Sequence, residues 1–383
     1  METLKILLYS PVFAPSVGGV ETITDTLARN LIKAGHQVTV VTETPLRGAR
    51  QNDCYPFAVV RHPPGSKRLA LARSHDIVHS NSASLAMVRF ASEAGKPFIW
   101  THNGYQVSCV DGLGWVDGKA APMTPWASLH YHRRLRGSRF FVKECAKLYY
   151  RRFVAKHRVA MNCAATAWVA KRQPLPRQRV LYTPYPLSRF KQARREVDKL
   201  YDFIYVGRLV SEKGVMQLMD AFNRLLSETL HSDAKLLIVG EGDRREQLVQ
   251  QVADWGIAAS VTFTGSLRGD DLVAAIEQAD VAVVPSAWEE PMGGVSLELL
   301  AAGKCLIVSA NGGHAEIVGD AGLVFPNGNV DKLLACMRRL LDDPGLRERL
   351  KACAEKRLAL FDEVRLTQKY IDVYRAVIRR HRS

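Results

Sequence analysis

The chain opens with a short run, Leu4 to Tyr9, that is apolar except for Lys5. A stretch bearing Gly18 and Gly19 follows, and Val20, Ile23, Leu27 and Leu31 then recur at helical spacing until Gly35. Apolar residues three or four apart line one helix face, and a glycine just past the last of them ends a helix. This is one strand-loop-helix unit. Buried-type runs return at Val38–Val41, Phe57–Val60, Ile77–His79 and Phe98–Trp100. Continuous apolar strands separated by helices predict a parallel sheet covered on both faces. From Phe203 the pattern begins again: Phe203–Val206, a helix through Leu218 and Phe222, then Leu236–Val239, Val261–Phe263, Val281–Val284 and Leu306–Val308.

Two α/β domains of one kind are therefore expected, and a length of 383 residues suits two such cores better than one. Between them, residues 172–200 carry Pro174, Pro176, Pro184 and Pro186 among dense charge, which reads as a linker. The expected division is an N-terminal Rossmann-like domain over 1–190 and a second over 191–361. A C-terminal helix over 362–383 would pack back on the first.

Charge changes this picture in one half only. The net charge is +15, and residues 1–190 hold 27 Lys and Arg against 10 Asp and Glu, while the remainder holds 26 against 28. The excess is concentrated at Arg133, Arg134, Arg136, Arg139, Lys143 and Lys147, interleaved with Phe140, Phe141, Tyr149, Tyr150 and Phe153. A basic, aromatic helix of this kind fits an anionic membrane surface; the other reading is a domain helix with aromatics inside and wet cations outside. The seven cysteines show no CxxC or Cys/His spacing, against a disulfide framework or a structural zinc. The first run is too short for a signal peptide, and no segment is long and apolar enough to span a bilayer. The expectation is a cytoplasmic chain, peripheral on the inner membrane face.

Candidate chemistry lies in the second half. Pro285-Ser286-Ala287-Trp288-Glu289-Glu290-Pro291-Met292-Gly293-Gly294-Val295-Ser296-Leu297-Glu298 follows the strand 281–284 and opens a helix. Backbone amides and the dipole at such a helix start favour phosphate, beyond the carboxyl end of a strand. Glu290 and Glu298 bracket the turn, and carboxylates, being acceptors only, suit sugar and ribose hydroxyls. A second motif, Gly207-Arg208-Leu209-Val210-Ser211-Glu212-Lys213-Gly214, offers Arg208 and Lys213 as a clamp for a diphosphate.

The ordered set resembles glycosyltransferase family 4, the retaining glycosyl transferases group 1, whose fold is GT-B: two Rossmann-like, doubly wound domains facing across a cleft. Further matches are Gly18-Gly19-Val20-Glu21, Thr101-His102-Asn103-Gly104, Thr183-Pro184-Tyr185-Pro186, Val239-Gly240-Glu241-Gly242 and Phe263-Thr264-Gly265. The resemblance implies that Arg208 and Lys213 hold the donor diphosphate with the Gly19 amide, and that Glu298 binds the ribose and Glu290 the sugar. Gly18, Gly240, Gly265, Gly293, Gly294 and Val295 would complete the donor site, with His102 under the donor sugar. Thr183 stands where the family has Asn, and Met292 where it has Phe. The insertion from Gln106 to Met123 has no family template, so the acceptor stays open.

The implied activity is transfer of a hexose or N-acetylhexosamine from a UDP-, GDP- or ADP-sugar to a glycan or lipid-linked acceptor, in polysaccharide, lipopolysaccharide or glycolipid synthesis. No cofactor is expected, nor a metal, since no Asp-x-Asp anchor is present. Rival readings are another enzyme of this fold, such as a phosphorylase or sugar-nucleotide epimerase, and a non-enzymatic nucleotide- or nucleic-acid-binding module. No nucleic-acid recognition motif appears, so no nucleic-acid partner is expected. Neither first strand is followed by GxGxxG, which counts against a dinucleotide oxidoreductase.

Overall fold

The computed structural model describes residues 2–16, 18–46, 55–194 and 198–382. It divides into two units, Met1–Gly114 with Ala121–Pro186 and Phe361–Ser383, and Trp115–Ala120 with Leu187–Leu360.

In the first unit the strands are β1 (Lys5–Ser10), β2 (Gln37–Thr42), β3 (Ala58–Arg61), β4 (Ile77–Ser80) and β5 (Phe98–His102). A small antiparallel hairpin, β6 (Trp115–Val116) and β7 (Lys119–Ala120), groups with the second unit. Strands β8 (Met161–Ala164) and β9 (Gln178–Val180) then complete a seven-stranded parallel sheet in the order β3-β2-β1-β4-β5-β8-β9. All four residues of β4 and all five of β5 are buried. Full burial is what a central parallel strand requires, because helices cover both faces. Helix Gly19–Lys33 presents Leu27, Ala28 and Leu31 to the core formed with Ile6, Leu8, Val38 and Val40.

The C-terminal helix Glu363–Arg382 belongs to this unit, burying Tyr370, Tyr374 and Val377 in the same core. Tyr374 Oη lies 2.7 Å from His79 Nδ1, and Asn30 donates to Glu363 at 3.1 Å. Each large apolar side chain so buried contributes about 1.5–3 kcal/mol, so the helix is an integral layer of the unit.

The second unit holds β10 (Tyr201–Val206), β11 (Leu236–Val239), β12 (Val261–Gly265), β13 (Ala279–Val284), β14 (Cys305–Ser309) and β15 (Gly322–Phe325). They form one parallel sheet in the order β12-β11-β10-β13-β14-β15. Helix Val215–Leu226 packs Leu218, Met219, Phe222 and Leu225 onto Phe203, Leu236 and Val281. The chain winds outward from β10 to β12, returns, and winds the other way from β13 to β15. The loops after β10 and β13 therefore diverge and leave a crevice at their carboxyl ends, which is where open α/β sheets hold ligands.

Several elements differ from the sequence expectation. The basic, aromatic stretch holding Arg133 to Phe153, expected as one helix, is two, Pro125–Arg136 and Ser138–His157, broken at Gly137, whose φ of +84° lies in the left-handed region. The stretch 172–200, expected as linker, contains β9, a short edge strand without an apolar run; residues 195–197 lie outside the described residues. Strands β8 and β15 were not anticipated. The domain boundary expected near Phe190 compares with a division between Pro186 and Leu187.

Candidate active site

The second unit brings its chemistry to the crevice between the ends of β10 and β13. After β10 the chain turns through Ser211–Lys213, and Gly214 enters helix Val215–Leu226 with φ +71°. A Cβ at Gly214 would lie 1.9 Å from the Pro285 carbonyl, so only glycine lets the loop after β10 cross the loop after β13. The Glu212 carbonyl accepts from the Ala287 amide at 2.9 Å. The two loops are thus joined backbone to backbone before any side chain is considered.

Glu290 is fixed from the other side. Its carbonyl accepts from the Gly313 amide at 2.7 Å, in a bridge to the loop after β14. Its carboxylate Oε2 accepts from the Lys213 ammonium and from Trp288 Nε1 at 3.1 Å, and lies 3.7 Å from His314 Nε2. The Lys213 ammonium also stands 5.7 Å from the centre of the Trp288 ring. The paired side chains are 19% and 17% exposed, dry enough for the attraction to be strong. Burial alone would raise the Glu290 carboxyl; the Lys213 ammonium, with His314, outweighs it and holds the group well below the usual carboxylate range.

His314 is almost fully enclosed at 1% exposure. Its Nδ1 lies 2.8 Å from Ser296 Oγ and its Nε2 3.2 Å from Ser286 Oγ. Burial pushes the imidazole below its ordinary value, against the pull of Glu290. Gly293, at φ +86°, presses on this ring: a Cβ there would sit 2.5 Å from Nδ1. Helix Gly294–Ala301 starts immediately after, placing the Gly293, Gly294 and Val295 backbone at a helix N-terminus on the crevice, with Glu298 one turn further along and partly buried.

Arg208 differs from Lys213. Its side chain is 66% exposed and donates to Glu212 at 3.2 Å, while its carbonyl accepts from the buried Tyr205 hydroxyl at 2.7 Å. Gly240 follows β11 and Gly265 ends β12, and the two are joined by a Gly240 N–H to Gly265 carbonyl bond of 2.9 Å. The structure therefore gathers Arg208, Lys213, Glu290, Gly293, Gly294 and Val295 around one strand-end crevice. Glu212, Trp288, Ser286 and His314 were not read as site residues. The pair Gly312-Gly313, following a buried strand, was the signal that a third loop reaches the site.

In the first unit, Gly18 and Gly19 lie at the start of helix Gly19–Lys33, where the Glu21 carboxylate folds back against Gly18 and accepts from Ser16 Oγ at 2.7 Å. His102 ends β5 at 1% exposure. Asn162 uses its amide nitrogen to donate to the Ala155 and Pro176 carbonyls, each at 2.9 Å, so its Oδ1 accepts from His102 Nε2 at 2.9 Å. Burial lowers the His102 pKa to about 4, leaving a neutral ring with Nε2 protonated.

Arg133, Arg134, Arg136, Arg139, Lys143 and Lys147 are all exposed. The segment 125–157 has nine Lys and Arg against one acid, Glu144, which is buried and bonded to Lys147 at 3.3 Å. Trp126, Val142, Tyr150 and Phe153 are more than half exposed on the same two helices, and Trp126, Tyr149 and Phe153 line a groove of about 490 Å³ with Arg152, Lys156 and His157. Leu148 and Val154 face the interior. No helix among the described residues is long and apolar enough to cross a membrane, and no group of three His, Cys, Asp or Glu among them is placed to hold a metal ion.

Two parallel sheets of doubly wound type, the second with cations and a carboxylate at its switch point, define a chain of the GT-B class. It belongs to the glycosyl transferases group 1, family 4: the model for glycosyl transferases group 1 matches residues 188–357 and that for glycosyltransferase family 4 matches 17–189. The chain is 36% identical over 194 residues to the glycogen synthase of Mycobacterium tuberculosis, covering 50% of this chain and 46% of that one. It is 34% identical over 173 residues to a lipopolysaccharide core biosynthesis glycosyltransferase of Rhizobium meliloti, covering 44% and 48%. These matches span about half the length of those relatives. The fold is shared with Anabaena HepE, solved with UDP and glucose, at TM-score 0.69 and 18% identity over 97% of this chain and all of that one.

Proposed function

We propose that the protein is a retaining glycosyltransferase that moves a hexose or N-acetylhexosamine from a nucleoside diphosphate sugar to a hydroxyl of a glycan or lipid-linked acceptor. The observation that carries this reading is the junction of Lys213, Glu290 and the Gly293-Gly294-Val295 helix start at a single strand-end crevice. Lys213 and Arg208 hold the diphosphate with the helix amides, and Glu290 accepts from hydroxyls of the sugar and Glu298 from the ribose.

In the reaction the bond from the anomeric carbon to the β-phosphate oxygen breaks, its electron pair leaving with the diphosphate. The acceptor oxygen bonds the same face of that carbon and passes its proton to a departing phosphate oxygen. The charge that develops on the leaving group is met by Arg208 and Lys213, in the role a metal plays elsewhere. Membership of the glycosyl transferases group 1, and similarity to a relative named for lipopolysaccharide core synthesis, support an acceptor in cell-envelope polysaccharide or glycolipid synthesis. The exposed basic and aromatic face of 125–157 supports peripheral binding to an anionic membrane, on its cytoplasmic side.

A thermal-shift screen over UDP-, GDP- and ADP-sugars tests the donor reading, because a ligand bound only by the folded chain raises its apparent stability. One nucleotide class should raise the melting temperature, and incubation with a glycan acceptor should then yield a product of retained anomeric configuration. A flat screen, or turnover of the sugar nucleotide to an epimer without acceptor, would overturn it.

A further inference from the structure

His314 stands in the site without a part in the reaction as described, and its surroundings suit a charge that comes and goes. The ring lies beside Glu290, with Nε2 3.7 Å from Oε2, and the Gly293 backbone closes on it from the Nδ1 side. Its two nitrogens meet serine hydroxyls, Ser296 at Nδ1 and Ser286 at Nε2. A hydroxyl donates or accepts by turning its proton. A neutral imidazole is satisfied by one serine donating and one accepting, an imidazolium by both accepting, and no heavy atom need move between the two.

The charged groups facing the ring are the Glu290 carboxylate, from the loop after β13, and the Lys213 ammonium, from the turn after β10. In the unliganded chain Lys213 neutralises Glu290. If the diphosphate takes the ammonium, as the reading above holds, a largely buried carboxylate loses its counter-ion, which is costly in a dry site. The group best placed to replace that charge is the imidazole already beside it. We infer that His314 is a positioning residue that takes up one proton from solvent when donor binding draws Lys213 away, and so keeps Glu290 charged and oriented toward the sugar hydroxyls.

This rests on Lys213 as the diphosphate ligand, and the sign follows from the exchange. Donor binding consumes a proton, so affinity strengthens as pH falls through the window between the ring's depressed free value and its higher bound value. Within that window each unit of rising pH weakens binding by up to about tenfold, and above it the affinity no longer depends on this ring.

The experiment has two arms. In the first, the His314 imidazole is titrated by NMR in the full chain without nucleotide, for the native sequence and for Lys213→Met, which keeps the stem and removes the charge. The variant should titrate at higher pH; an unchanged titration would overturn the inference whatever the donor is. In the second, UDP, GDP and ADP are each titrated calorimetrically near neutral pH in Pipes and in Tris. The nucleotide that binds should take up close to one proton, and His314→Asn or His314→Gln should bind it without that uptake. Binding with no buffer dependence in the native chain, or with undiminished uptake in both variants, would overturn the proposal and leave the donor reading standing. Failure of all three nucleotides to bind, together with the expected upward NMR shift in Lys213→Met, would count against the donor reading and leave the coupling of Lys213 to His314 in place.

Discussion

The Lys213 ammonium and the Glu290 carboxylate form an ion pair across 77 residues of sequence, joining the loop that leaves β10 to the loop that leaves β13. The contact is long-range, mostly dry, and shared with the Trp288 ring, which gives the cation its face and the carboxylate its N–H. Removing one partner leaves the other charge with poor solvation, a loss much larger than that of an exposed pair. Lys213→Ala should therefore lower unfolding stability by about 3 kcal/mol, read from the urea midpoint at unchanged m-value. Lys213→Met combined with Glu290→Leu should lose less than the sum of its single changes, because the charge left behind in each single variant is gone.

The same pair sets a stability profile in acid. Burial raises the Glu290 carboxyl but Lys213 and His314 more than offset it, so its folded value is depressed. A depressed carboxylate stabilises the fold fully above the ordinary unfolded value and loses that contribution as pH falls toward the folded one. Urea midpoints of the native chain should fall steeply below about pH 5. In Glu290→Gln this part of the slope should vanish, and midpoints in acid should converge on those of the native chain.

Arg208 should separate binding from stability. Its pair with Glu212 is surface-exposed on the arginine side and holds at most about 1 kcal/mol. Arg208→Ala should leave the melting temperature close to native while cutting the turnover number by about 10²–10³-fold, the loss expected when one donor to a developing charge is removed. Thermal shift without ligand and initial rates with saturating donor together check both halves. A change in stability with normal turnover would place Arg208 among structural residues.

Which parts of this site the sequence revealed follows from the range of the interactions. The run Val281–Val284 followed by Pro285, Ser286 and a glycine turn identifies a strand-loop-helix from neighbours alone, and β13 and helix Gly294–Ala301 lie there. The meeting of Lys213 with Glu290 is different, because it depends on β10 and β13 being adjacent at the reversal of strand order. Periodicity says that strands exist; it does not order them. His314 was silent for the same reason, its partners Ser286 and Ser296 lying 28 and 18 residues away. The break at Gly137 was legible in principle, since a glycine between two basic runs ends one helix and begins another. The short edge strand β9 offers only Gln-Arg-Val, with no alternation to read.

The face formed by helices Pro125–Arg136 and Ser138–His157 makes a prediction that separates two physical contributions. Its six outward cations, Arg133, Arg134, Arg136, Arg139, Lys143 and Lys147, attract an anionic surface at a distance, each adding about 1 kcal/mol near the membrane. Trp126 and Phe153 act only on contact, by burying aromatic area in the headgroup layer. Flotation with vesicles rich in phosphatidylglycerol should recover the chain at low salt and progressively less as salt screens the charges. Arg133→Glu with Arg134→Glu should abolish recovery at every salt concentration. Trp126→Ala with Phe153→Ala should keep the salt dependence but shift the whole curve to weaker binding, since the long-range attraction remains. Equal recovery on neutral phosphatidylcholine vesicles, or no response to either pair of substitutions, would make the face an ordinary solvated surface.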